Sequence, residues 1–309
     1  MPDDASLLAP ADLARVASFE LRARSVVEGF ITGLHKSPHH GFSVEFAEHR
    51  AYTPGDTLRD VDWKVYGRSD RLVVKRYEEE TNLRHYVVLD TSASMRYVGQ
   101  AGVSKLHYGA TLAGALHVLM ARQRDATGLV AFDRAIHTLV RPSSTRGHVQ
   151  ELLARLARIA DGEDAGEPTE THAAAALHQV AERIPRRSLV VLISDLFDSV
   201  AGMDETVRAL RHLRHRGHEV IVLGVHDAAT ERRFEFPDRP VRVRDLETGE
   251  ERTLQPAQLR EGYREAADAF ADEVRARCRE AGVDVELLDT ARPYADALRA
   301  YLDKRRRLY

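Results

Sequence analysis

From Arg84 onward the sequence alternates short apolar runs with longer amphipathic stretches, and no other feature restricts the fold so tightly. The apolar runs are Tyr86–Leu89, Gly128–Phe132, Ile136–Val140, Leu189–Ile193, Val220–Val225 and Val283–Leu287, each of strand length. Helical patterns cover Lys105–Arg124, Gly147–Ile159, Thr171–Arg183, Asp204–Arg216, Ala257–Ala281 and Pro293–Arg307. In the first of these, Leu106, Ala110, Ala113, Leu116, Leu119 and Met120 are the core candidates. Gly217 and Gly282 stand where helices end, and Pro293 stands near a first turn. Strands without polar alternation are buried on both faces, which is the condition of a parallel sheet covered by helices. The chain is therefore expected to be α/β, with a Rossmann-like, mainly parallel central sheet and helices on both faces. Ile136–Val140 follows its predecessor across a turn at Asp133-Arg134. The polar stretch near 232–256, with a turn at Glu247-Thr248-Gly249-Glu250, is expected to be a small β insertion.

Residues 1–81 read differently from 82–309. An amphipathic helix over Asp12–Ile31 carries Leu13, Val16, Phe19, Val26, Val27 and Phe30 on its apolar face. After a loop over Lys36–Gly41 come strand-like runs at Phe42–Phe46 and Leu72–Tyr77, around a turn at Thr53-Pro54-Gly55-Asp56. This is too little apolar mass to stand alone, so the segment is expected to pack on the main domain at 82–309. The chain of 309 residues needs no covalent staple for its core, and its single cysteine, Cys278, excludes a disulfide framework. No apolar run approaches the ~18 residues of a membrane span, and the opening residues lack a signal-peptide pattern. These features together point to the cytoplasm. Basic and acidic side chains number 45 and 48, so no overall field attracts nucleic acid.

Ligands of open α/β sheets sit beyond the carboxyl ends of the strands. There the sequence places Asp90-Thr91-Ser92-Ala93-Ser94, then Ser194-Asp195, and at a helix start Thr169-Glu170-Thr171. The set is all oxygen, which suits a hard divalent cation such as Mg²⁺ or Mn²⁺. Because much of it is neutral hydroxyl, the cation would keep charge to attract a carboxylate from outside. That arrangement grips a partner's acidic residue rather than activating water. Two plainer readings stand beside it. Asp at a strand end caps turns, and Ser or Thr caps helices, which would leave a scaffold with a vestigial site. Alternatively, Asp90 is the nucleophile of a Mg²⁺-dependent phosphohydrolase; such enzymes want a second Asp two residues on, where this chain has Ser92. Neither a Gly-x-Ser-x-Gly elbow nor a phosphate-cradling Gly-x-x-x-x-Gly-Lys loop is present, so no enzyme is expected. His212, His215 and His218 recur every third residue, but Gly217 interrupts them, and a solvated face is expected rather than zinc. Cys278 lies mid-helix and is expected to be inert.

Asp90-x-Ser92-x-Ser94, followed by a threonine and by Asp195 after a later strand, resembles the metal-ion-dependent adhesion site of von Willebrand factor A domains. A second motif precedes it: Glu45-Phe46, Arg50, Tyr52, Pro54-Gly55-Asp56, Arg59 and Asp62-Trp63, then Val74-Lys75-Arg76-Tyr77 and Glu79-Glu80. The pair is similar to the bacterial family called domain of unknown function fifty-eight. That resemblance covers about residues 20–230 and implies a six-stranded von Willebrand A-like sheet. It also implies a non-enzymatic adaptor or co-chaperone partnered by a MoxR-type AAA+ ATPase and its client protein. Carried over by position, Ser92 and Ser94 contact the metal directly, Asp90 directly or through water, and Asp195 through water. The family shows Gly-Thr-Asp at the threonine, whereas this chain has Pro168-Thr169-Glu170-Thr171-His172; counting back from Leu189 favours Thr171 over Thr169. The Tyr52–Trp63 motif reads either as structure, with Trp63 anchoring the layer, or as a docking surface for the ATPase.

Overall fold

The computed structural model describes residues 18–35, 49–51, 63–71, 73–75, 84–162, 173–195 and 202–306. The expected run at Phe42–Phe46 and the greater part of the Tyr52–Trp63 motif lie outside them. The chain divides into two compact units, residues 37–82 and residues 1–36 with 83–309. The sequence groups the first helix with the small segment after it. Instead that helix, α1 (Phe19–His35), belongs to the main unit, because Phe19, Ala23, Val26, Val27 and Phe30 are buried in its core.

The small unit holds an antiparallel pair, β1 (His49–Ala51) with β2 (Val73–Lys75), and a short helix, α2 (Trp63–Ser69). Trp63, expected to anchor this layer, is 57% exposed and meets Tyr66 edge-on.

The main unit is built on β3 (Arg84–Asp90), β4 (Ala126–Phe132), β5 (Ile136–Ser143), β6 (Ser188–Ser194), β7 (Glu219–His226) and β10 (Asp284–Asp289). They form one six-stranded sheet in the order β10-β7-β6-β3-β4-β5. Every pairing is parallel except β4 with β5, which is antiparallel and closes one edge. The difference is written in the residues. β3 and β6 are apolar on both faces, while β5 alternates partly buried with exposed positions such as His137 and Leu139.

Successive side chains of a strand point to opposite faces, so each strand feeds two cores. Val87, Leu89, Val191 and Ile193 join one core with α1, α3 (Lys105–Arg122), α4 (Arg146–Ala160) and α8 (Tyr294–Arg306). Tyr86, Val88, Val190 and Leu192 join the other with α5 (Ala173–Arg183), α6 (Met203–His215) and α7 (Pro256–Glu280). α3 is buried almost all round, as its run of Leu, Ala, Val and Gly requires. At Gly109 an added Cβ would lie 3.1 Å from Ile193 and 3.3 Å from Leu89, so the helix packs closely on the sheet and a side chain there would press its neighbours aside by a few tenths of an ångström. The expected β insertion is an antiparallel hairpin, β8 (Val241–Arg244) with β9 (Glu251–Leu254). Its turn is set by Asp245 Oδ1, which accepts from the N–H groups of Glu247 and Thr248, and by Gly249 at φ +74°.

Candidate functional site

Parallel pairing sets Leu89 of β3 against Ile193 of β6, so the strands end side by side and release Asp90 and Ser194 together. Asp90 is 1% exposed. Its Oδ1 accepts from the N–H of Ser92 at 2.9 Å, an Asx turn that folds the chain back over the strand end. Its Oδ2 accepts from Ser194 Oγ at 2.6 Å. Thr91 Oγ1 donates to the carbonyl of Phe132 at 2.9 Å and lies 2.9 Å from His137 Nε2, fastening the turn to β4 and β5. A short 3-10 turn over Ser94–Arg96 follows, pinned by fully buried Met95. Through it Ser92 Oγ and Ser94 Oγ come within 3.1 Å of each other.

Asp195, 6% exposed, is the next residue after Ser194. Burial, and then the charge of Asp195, raise the pKa of Asp90 to about 7 against the hydrogen bonds from Ser194 and Ser92. The two buried carboxylates are thus close enough for the charge of Asp195 to act on Asp90. Of the five residues singled out in the sequence, Asp90, Ser92, Ser94 and Asp195 stand at one edge of the sheet. Thr171, like the rival Thr169, lies outside the described residues. The donors present are two carboxylates and two hydroxyls, the chemistry of a magnesium or manganese site rather than of zinc. Among the described residues no group of three or more His, Cys, Asp or Glu is placed to hold a metal.

Two residues of this site escaped the sequence reading. Lys105, first in α3 and 2% exposed, donates from Nζ to Asp195 Oδ2 at 2.7 Å and to Glu231 Oε1 at 2.5 Å. Burial disfavours its charge, but Asp195 and then Glu231 more than compensate and hold its pKa above the ordinary lysine value. Glu231 lies on a π turn, Ala228–Arg232, and its Oε2 accepts from the N–H of Asp227 at 2.7 Å. The loop between Ser94 and α3 leans on that turn. Tyr97 donates its hydroxyl to Thr230 Oγ1 at 2.8 Å, and a Cβ on Gly99 would lie 2.0 Å from Asp227 Oδ2. Only a lysine in the first turn of a helix hinted at this, since a cation there opposes the helix dipole.

The three recurrent histidines do not converge. His212 contacts His178 and Glu182, while His218 is buried beside Ser188. Cys278 is 2% exposed and burial pushes its thiol up to about 11. No helix among the described residues is long and apolar enough to cross a membrane.

The sheet order, the antiparallel edge strand and the helices on both faces define an α/β domain with a mainly parallel six-stranded sheet. Residues 48–273 match the model of the protein family of unknown function DUF58, and the chain belongs to that family. Uncharacterized proteins of Mycobacterium bovis and Mycobacterium tuberculosis are 29% identical to it over 299 residues, covering 95% of this chain and 90% of theirs. Among solved structures, it is similar to the conserved hypothetical protein BatB from Bacteroides thetaiotaomicron, with TM-score 0.45 and 16% identity, covering 72% of this chain and 98% of that one. It is also similar to the VWA domain of SpRpn10, with TM-score 0.36 and 10% identity over 70% of this chain and 93% of that one.

Proposed function

We propose that this protein is a non-enzymatic, metal-dependent adaptor that binds an acidic residue of a partner protein. Ser92 and Ser94, with Asp90 and Asp195, would hold Mg²⁺ or Mn²⁺, and Thr171 would complete the set. The cation, when bound, supplies Lewis-acid attraction for a carboxylate from outside. The observation that carries the reading is the convergence of Ser92 Oγ and Ser94 Oγ, 3.1 Å apart, beside the buried Asp90 and Asp195 carboxylates. The charge of Asp195 opposes ionisation of Asp90, and a cation at Asp90 would favour its charged form. The chain's own parts do the rest: Ser194 and the Ser92 N–H aim Asp90, and Met95 fixes the turn. The partner that best fits is a MoxR-type AAA+ ATPase of the cytoplasm, or its client, as the family resemblance implies.

The test is co-precipitation of the purified chain with a MoxR-type ATPase in Mg²⁺ and in EDTA. Asp90→Ala and Ser92→Ala should each abolish the Mg²⁺-dependent association while far-UV and near-UV circular dichroism stay native. Association that survives both substitutions and EDTA would overturn the metal bridge.

A further inference from the structure

A cation at the first position of α3 works against the helix dipole, and a lysine 2% exposed has surrendered its hydration. Nothing local to the helix accounts for Lys105. Its surroundings do. The ammonium lies 2.7 Å from Asp195 Oδ2, 2.5 Å from Glu231 Oε1 and 5.7 Å from the centre of the Tyr97 ring, whose face favours cations. Its backbone is fixed as well, since Lys105 N–H donates to the carbonyl of Tyr97 at 3.1 Å. Glu231 is held from behind by the Asp227 N–H. The ammonium therefore sits in a prepared cage between a carboxylate of the candidate metal site and a carboxylate that is not part of it.

We infer that Lys105 is the site's internal counter-cation: bridging Asp195 and Glu231, it keeps the edge of the sheet ordered without metal. A divalent ion is then taken up together with the partner's carboxylate rather than held permanently. The second half of this inference rests on the metal reading above; the first half does not. Both follow from charge. Without the ammonium, Asp195 and Glu231 face each other with Asp90 nearby. With it, Asp195 is already neutralised, and a divalent ion gains less by approaching. The partner's carboxylate adds back the negative charge that Lys105 has cancelled. Lys105 touches no ligand in this scheme and acts as a positioning residue.

The experiment compares wild type, Lys105→Met and the double variant Lys105→Met/Glu231→Gln, by thermal unfolding with and without Mg²⁺ and by Mg²⁺ calorimetry. In EDTA, Lys105→Met should melt below wild type, and adding Glu231→Gln should recover part of the loss, because it removes the facing charge. In Mg²⁺, Lys105→Met should bind the ion about tenfold more tightly than wild type, because a neighbouring positive charge is gone. Its melting temperature should rise further with the ion than the wild-type value does. If Lys105→Met fails to fold in EDTA, refolding in Mg²⁺ supports the inference, and equal failure in both overturns it. A Glu231→Gln change that rescues nothing in EDTA also overturns it. If the EDTA results hold and none of the proteins responds to Mg²⁺ or Mn²⁺, the counter-cation stands, and the metal reading falls together with uptake alongside the partner.

Discussion

Acid should work against folding at one side chain whose contribution can be isolated. His117 lies within α3 at 0% exposure, its Nδ1 2.7 Å from Thr127 Oγ1. The same hydroxyl lies 3.1 Å from Nδ1 of buried His85. One hydroxyl carries one proton, so at least one of the two imidazoles presents N–H to it and the two rings are interlocked. Burial, and then the charge of His148, pushes the pKa of His117 from 6.5 down to about 3. Between those values the unfolded chain takes up a proton that the folded chain refuses, so stability falls as pH falls. At pH 5, about 1.5 units below the ordinary value of 6.5, this one residue costs about 2 kcal/mol. Asp90 acts in the opposite sense. With its pKa raised from 3.8 to about 7, it favours the folded state at low pH and loses that contribution as pH rises through the interval. The assay is urea unfolding at pH 8 and pH 5 for wild type and His117→Gln. Taking the difference between the two pH values cancels Asp90 and any pH-independent cost of the substitution. Wild type should lose about 2 kcal/mol more than the variant on acidification. Equal losses in the two proteins would refute the neutral, buried imidazole.

Other outcomes follow from packing and electrostatics. Gly99→Ala places a Cβ against the Asp227 carboxylate and should cost about 1–3 kcal/mol in urea unfolding; an unchanged stability would contradict the close packing of that loop on Asp227. Leu116→Ala, at 0% exposure within the core below α1, should cost about 2–5 kcal/mol in the same assay, and a smaller loss would mean that the site collapses. Cys278, 2% exposed with its thiol near 11, should resist iodoacetamide at pH 8 until denaturant is added; rapid alkylation of the native protein would contradict that burial.

The sequence by itself determined the class of fold and the edge at which the candidate site lies. Apolar runs and helical periodicity are local properties, and burial on both faces of Leu189–Ile193 follows from the residues themselves. The spacing of Asp90, Ser92 and Ser94 also fixes a turn by short-range geometry, since Asp90 bonds an N–H two residues away. What only the tertiary structure decided were the partnerships across the sheet order. Lys105 meets Asp195 across 90 residues and Glu231 across 126, and His85 shares Thr127 with His117 across 42. In sequence Lys105 is one charged residue at the start of a helix, a place where charges normally face water. Its burial depends on which strands end beside β3 and on how the turn after β7 packs, and periodicity encodes neither. The first helix shows the same division. Its apolar face could be read from spacing, but the core that receives that face is assembled only when α3, α4 and α8 come together.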